Sequence, residues 1–185
     1  MNLVKKLGDF DIKKIIFLLV LGILLLLIKR YRVNPFILVL FAISISILSL
    51  QYIRFFNIHI GIELYTFSTV FISYYTNNIL LGFIVGIFGM CLAELSVNKF
   101  SPDSILLGAL LGFQSVVVIF LKDIFPFSII GLIITVINNI LIITTLFFLN
   151  GRIVPNHLLY VSVNLVFNFV LFSTVIPIIK TIIFK

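Results

Sequence analysis

The sequence predicts an all-α integral membrane protein: a six-span helical bundle with an extra apolar helix at its N-terminus, so six or seven spans. Three observations carry that expectation. Of the 185 residues, 62% are hydrophobic and only 10% charged, with a mean hydropathy of +1.34, whereas a soluble domain must keep a polar exterior. The apolar runs are unbroken rather than alternating, which excludes the apolar-out, polar-in pattern of a membrane barrel. Lipid requires every backbone group to be satisfied internally, and helices do this within one segment.

Seven apolar segments follow in order: 15–28, 35–53, 61–75, 79–93, 105–121, 127–149 and 158–179. The first has 14 residues between lysines, and the third and fourth have 15 each; a perpendicular span needs about 20. Charge decides the count. If all seven cross, the 13 basic residues divide seven to six and leave no bias. If 15–28 lies along the surface, ten collect on one side and Arg54, Lys99 and Arg152 remain on the other. The positive-inside rule then favours six spans in the plasma membrane with both termini cytoplasmic. Residues 1–34 form a basic N-terminal segment with a short apolar helix, and 35–185 a six-helix transmembrane domain. The N-terminal run resembles a signal peptide, but Lys29-Arg30-Tyr31-Arg32 follows it without a small-x-small cleavage site, so it is read as retained.

Helix ends are signalled locally. Asn34-Pro35 and Ser101-Pro102-Asp103 each place a capping residue before a proline. Asn150-Gly151 closes the segment 127–149, and Thr76-Asn77-Asn78 is a polar turn between two short helices. Gly82, Gly86, Gly89 and Ala93 fall on one helical face, and Ser104, Gly108, Gly112 and Ser115 on another. Such stripes let backbones approach closely inside a bundle. Ala42 and Ser46 form a weaker stripe, suited either to internal packing or to docking a partner helix.

The net charge of +7 does not point to nucleic acid, because seven of the 13 basic residues precede Pro35 and flank an apolar run. Anchoring beside an anionic leaflet accounts for them. Phosphate-cradling glycine loops, HExxH and paired acids within a span are absent, so neither a catalytic residue, a metal nor a cofactor is expected. Cys91, His59, His157 and Arg152 could be assembled into a Cys-His-Arg transpeptidase only without any surrounding signature. The chain is read as no enzyme.

Polar groups at membrane depth are the candidates for function. Glu63 sits near the outer end of its segment, within reach of water, Arg54 or His59. Glu94, at the other end of the hairpin, reads as a solvated helix end. Tyr160, Asn164 and Asn168 share a face of the last segment, while Gln114, Asn138 and Asn139 lie mid-depth. Amides at these positions either bond helix to helix or line a polar cavity.

At residues 58–94 the chain resembles the substrate-binding S components of energy-coupling-factor (ECF) vitamin transporters. The resemblance rests on Ile60-Gly61-Ile62-Glu63-Leu64, a short helix over 66–75, and Leu81-Gly82-Phe83-Ile84-Val85-Gly86. The turn departs from the Gly-Pro common there, and Ser46 replaces the usual Ala in the stripe that docks the T subunit. The resemblance implies six helices with a ligand site under the loops 54–60, 95–104 and 150–157. Arg54, His59, Glu63, Gln114, Asn164 and Asn168 are then the candidate ligand contacts, and Ala42 and Ser46 the docking pair. It also implies a small-molecule ligand captured from outside, with a T subunit and ATPase subunits as partners. The chain is similar in the same way to the small membrane subunit of the bacterial rod-shape machinery (MreD-like), which implies a scaffold without a small ligand. Fold alone does not separate the two.

Overall fold

The computed structural model describes residues 34–56, 60–151 and 155–175. The expected N-terminal helix over 15–28, His59 and Arg152 lie outside them. The described residues are helical and contain no strand. Helix α1 (Pro35–Ser49) starts as the Asn-Pro pair predicts, with Asn34 Oδ1 accepting the Phe36 N–H at 3.0 Å. One helical turn (Ile53–Phe56) leads to an irregular stretch over 60–64, then to α2 (Tyr65–Thr76). Asn77 ends α2 in the left-handed conformation at φ 52°, which asparagine tolerates. Asn78 then caps α3 (Ile79–Ser96) by accepting the Leu81 N–H at 3.1 Å. The two asparagines together turn the chain between α2 and α3.

Helix α4 (Pro102–Leu121) begins where Ser104 Oγ accepts the Ser101 N–H at 3.0 Å. Helix α5 (Phe127–Asn150) ends at Gly151, whose φ of 66° lets its N–H reach Phe147 O at 2.8 Å. Helix α6 (Pro155–Val170) runs into a π-helical turn, Leu171–Val175.

Among the described residues, four helices are long and apolar enough to cross a membrane: Ile79–Ser96, Pro102–Leu121, Phe127–Leu149 and Pro155–Thr174, of 18 to 23 residues. The molecule is thus a membrane-embedded helical bundle. The segments 35–53 and 61–75 differ from expectation. They form helices of 15 and 12 residues, and 12 residues rise only about 18 Å, well short of a hydrocarbon core of about 30 Å. Helix α2 starts four residues later than expected, because the chain at Gly61 takes a positive φ of 79°.

The shortest of these helices lies at the centre. Helix α2 packs against α1, α3, α4 and α5. Eight of its 12 residues are buried, among them Thr66, Ser68, Thr69 and Ser73. Thr69 and Ser73 return their hydroxyls to the carbonyls of Tyr65 and Thr69, and Ser68 donates to Ala42 O at 3.0 Å. Hydroxyls satisfied in this way can be buried at little cost. Outward positions are apolar instead: Phe120 is 74% exposed and Phe148 79%. That inversion suits a lipid exterior.

The two glycine stripes meet each other. A Cβ on Gly86 would lie 2.5 Å from the Gly112 Cα, and one on Gly112 would lie 2.8 Å from Phe83 O. Side chains larger than hydrogen would force α3 and α4 apart, so the stripes serve internal packing.

Candidate functional site

At one end of the bundle the segment 60–64 presses onto α6. Gly61 makes this possible, because a Cβ there would collide with Tyr160 O. The contact delivers Glu63 into the protein, where it is fully buried. Its Oε2 accepts hydrogen bonds from the Tyr65 and Tyr160 hydroxyls, and its Oε1 from Asn164 Nδ2 at 2.8 Å. The same Asn164 amide donates to Gly61 O at 3.1 Å, so it fixes both the loop and the carboxyl group. The two tyrosine hydroxyls lie 2.5 Å apart. A carboxyl group removed from water needs such donors, and here α2 and α6 supply them.

The polar contacts continue inward as two strings. Asn139 on α5 donates to Asn164 Oδ1 at 2.7 Å and to Thr135 O at 2.8 Å, while Asn168 Nδ2 donates to Asn164 O at 3.1 Å. Separately, Gln114 on α4 donates to Asn138 Oδ1 at 3.2 Å, and Asn138 to Thr66 Oγ1 at 3.3 Å. The first string ties α5 to α6, and the second ties α4 and α5 to α2. Among the described residues, Gln114 Oε1, Asn139 Oδ1, Asn168 Oδ1 and Ser115 Oγ are buried without a hydrogen-bond partner.

Beside Glu63 lies a cavity of about 680 Å³, within the range of about 300–1,000 Å³ usual for small-molecule sites. Met90, Leu107, Ile142, Leu146 and Leu159 form its apolar lining. Its polar lining comes from three places: Glu94 at the end of α3, residues Lys99, Ser101, Asp103 and Ser104 entering α4, and Asn156, His157 and Tyr160 in the first turns of α6. Tyr160 thus belongs to both features, lining the cavity and donating its hydroxyl to Glu63. Glu94 is 8% exposed and accepts a hydrogen bond from Ser104 Oγ. Among the described residues no three His, Cys, Asp or Glu side chains gather closely enough to hold a metal ion.

The structure brings together only part of the predicted set. Glu63, Asn164 and Asn168 form one cluster, and Gln114 belongs to the other string. None of these four is among the residues lining the cavity. Arg54 turns to the end of α3, where its Nε donates to Ser96 O at 2.9 Å. A guanidinium at a helix C-terminus satisfies an orphan carbonyl and complements the helix dipole. Ala42 and Ser46 are 1% and 0% exposed. Ser46 Oγ donates to Ala42 O at 2.9 Å and to Ser68 Oγ at 3.1 Å, and it faces Gly89. This stripe is therefore spent inside the bundle, against α2 and α3, rather than presented as an outer docking face.

Sequence reasoning misplaces Glu94, which is buried in the cavity wall and not a solvated helix end. A signal for it exists: Gly86, Met90 and Glu94 fall at i, i+4 and i+8, on the buried face of α3. Tyr65 has no such signal, because its role depends on Glu63 and Tyr160 arriving from elsewhere in the chain.

Compared with known proteins, the chain matches no family model, and neither a curated protein nor a solved structure is significantly similar to it.

Proposed function

We propose that this chain is a solute-binding membrane subunit of an importer, resembling the S components of ECF transporters, with the cavity beside Glu63 as its binding site. The observation that carries the reading is that cavity: ligand-sized, apolar on one part of its lining and polar on another, at the loop end of a helical bundle. Two features of the hairpin agree with the resemblance, the loop with a positive-φ glycine at 61 and the short, central α2. In this reading 35–185 makes six passes of the plasma membrane with both termini cytoplasmic, α1 and α2 completing theirs with adjoining non-helical residues. The solute enters from the outer side, under the loops near 95–104 and 150–157. Separate T and ATPase subunits would supply coupling and energy, since the chain has no phosphate-cradling loop of its own.

Native mass spectrometry of the detergent-purified full chain tests this. The expected result is a discrete small-molecule adduct that disappears in Leu146→Trp, whose indole would occupy the cavity. An adduct that survives Leu146→Trp places the solute elsewhere.

The alternative is a scaffolding subunit, MreD-like, with no small ligand. It is favoured by one specific observation: two of the predicted ligand amides, Gln114 and Asn164, are already bonded to a neighbouring helix. A bare chain that arrives with a stoichiometric second polypeptide would establish it.

A further inference from the structure

The chemistry of the cavity narrows what it can hold. Glu94 is almost fully buried and, among the described residues, draws its hydrogen bond from Ser104. A carboxylate with so little support in a low-dielectric wall gains most from a cation that also donates hydrogen bonds. Asp103, in the first turn of α4, adds a second carboxylate to the lining. His157 also lines the cavity, and its Nδ1 is buried without a hydrogen-bond partner among the described residues. An imidazole nitrogen in that position can accept an N–H. Among the described residues the opposing charge is Lys99, which lines the cavity too but is exposed, where solvent and salt screen it. The deep part of the polar lining is thus rich in acceptors and negatively charged, although the chain as a whole carries +7. Met90, Leu107, Ile142 and Leu146 offer an apolar bed for the rest of a ligand.

We propose that the cavity selects a small organic cation with N–H donors, an ammonium or amidinium on an apolar body, and that Glu94 is its anchoring carboxylate. This rests on reading the cavity as a solute site. The apolar body lies along α5, and the cationic head is held between α3, the start of α4 and the start of α6.

Three probes of one size and shape separate charge from fit: benzamidine, benzyl alcohol and benzoate, titrated against the full chain in nanodiscs by saturation-transfer NMR. Benzamidine is expected to bind saturably and at least about tenfold more tightly than either of the others, a margin one good charge-assisted contact supplies. Glu94→Gln keeps an acceptor for Ser104 and should bring benzamidine down to the level of benzyl alcohol. Asp103→Asn should weaken it less, and serves as the reading if Glu94→Gln does not fold. Benzoate binding as tightly as benzamidine, or benzamidine indifferent to both substitutions, overturns the cation assignment while leaving a solute site in place. Saturable binding of all three probes that Leu146→Trp fails to abolish, or no saturable binding at all, overturns the cavity as a solute site and the assignment with it.

Discussion

Two carboxyl groups sit at the same end of this bundle, one before α2 and the other at the end of the antiparallel α3, and they are surrounded very differently. Glu63 is sealed, with donors from Tyr65, Tyr160 and Asn164 closing around both of its oxygens. Glu94 meets one donor from the described protein and forms part of a cavity wall. The difference teaches how a buried acid is assigned a task. Where the protein itself supplies the hydrogen bonds, the acid joins elements of the fold. Where it leaves capacity unused beside a ligand-sized space, the acid is available to something else. Tyr160 stands between the two, so the fold of one site positions a wall of the other.

Substitutions can break or sharpen that contrast. The largest effect is expected for Glu63→Ala. It strips the acceptor from three donors among the described residues, and each buried group left unsatisfied costs about 1–3 kcal/mol. The effects are not additive, but a loss above about 3 kcal/mol should appear as a large drop in thermal midpoint in detergent. Glu94→Ala removes the acceptor of a single hydroxyl and should cost about 1 kcal/mol by the same measurement. Equal losses at the two positions would erase the distinction.

Between the two acids in size falls Gly86→Ala, which probes the α3–α4 seam away from both. Its Cβ would meet Gly112 backbone at 2.5 Å, and backbone cannot swing aside. A loss of about 1–3 kcal/mol is expected, as for other overpacked sites. Glu94 and Ser104 lie on these same two helices, so prising the seam should also weaken retention of any ligand. An effect as small as that of Glu94→Ala is expected for Gly151→Ala. Nothing lies within 4 Å of a Cβ there, and only the left-handed φ of 66° resists it, at about 1 kcal/mol. Ligand retention should be unchanged in that variant.

Much of this architecture is legible in the amino-acid sequence alone. Asn34, Ser101 and Gly151 mark helix ends because capping is local chemistry, settled within four residues. The glycine stripes at 82–93 and 104–115 are legible because helical periodicity alone puts them on faces. The form of α1 and α2 is less legible. Hydropathy counts apolar residues, and it cannot see that Gly61 turns the chain and delays α2 to Tyr65. The candidate site is legible only in part. Glu63 and Asn164 are recognisable as intramembrane polar groups, but whether they meet a ligand or each other is a matter of packing. Arg54 on Ser96 and Ser46 on Ser68 illustrate the same point: residues that read as outward contacts find partners within the bundle once the helices assemble. Glu94 shows the converse, an acid at a helix end that α4 and α6 enclose.

The division of labour between the two acids is tested most directly by native mass spectrometry of Glu63→Gln and Glu94→Gln beside the unaltered chain, all below their unfolding temperatures. Ligand bound to the unaltered chain should be retained by Glu63→Gln and lost from Glu94→Gln. Loss from Glu63→Gln with retention by Glu94→Gln would contradict the account and move the binding site to the sealed carboxyl group.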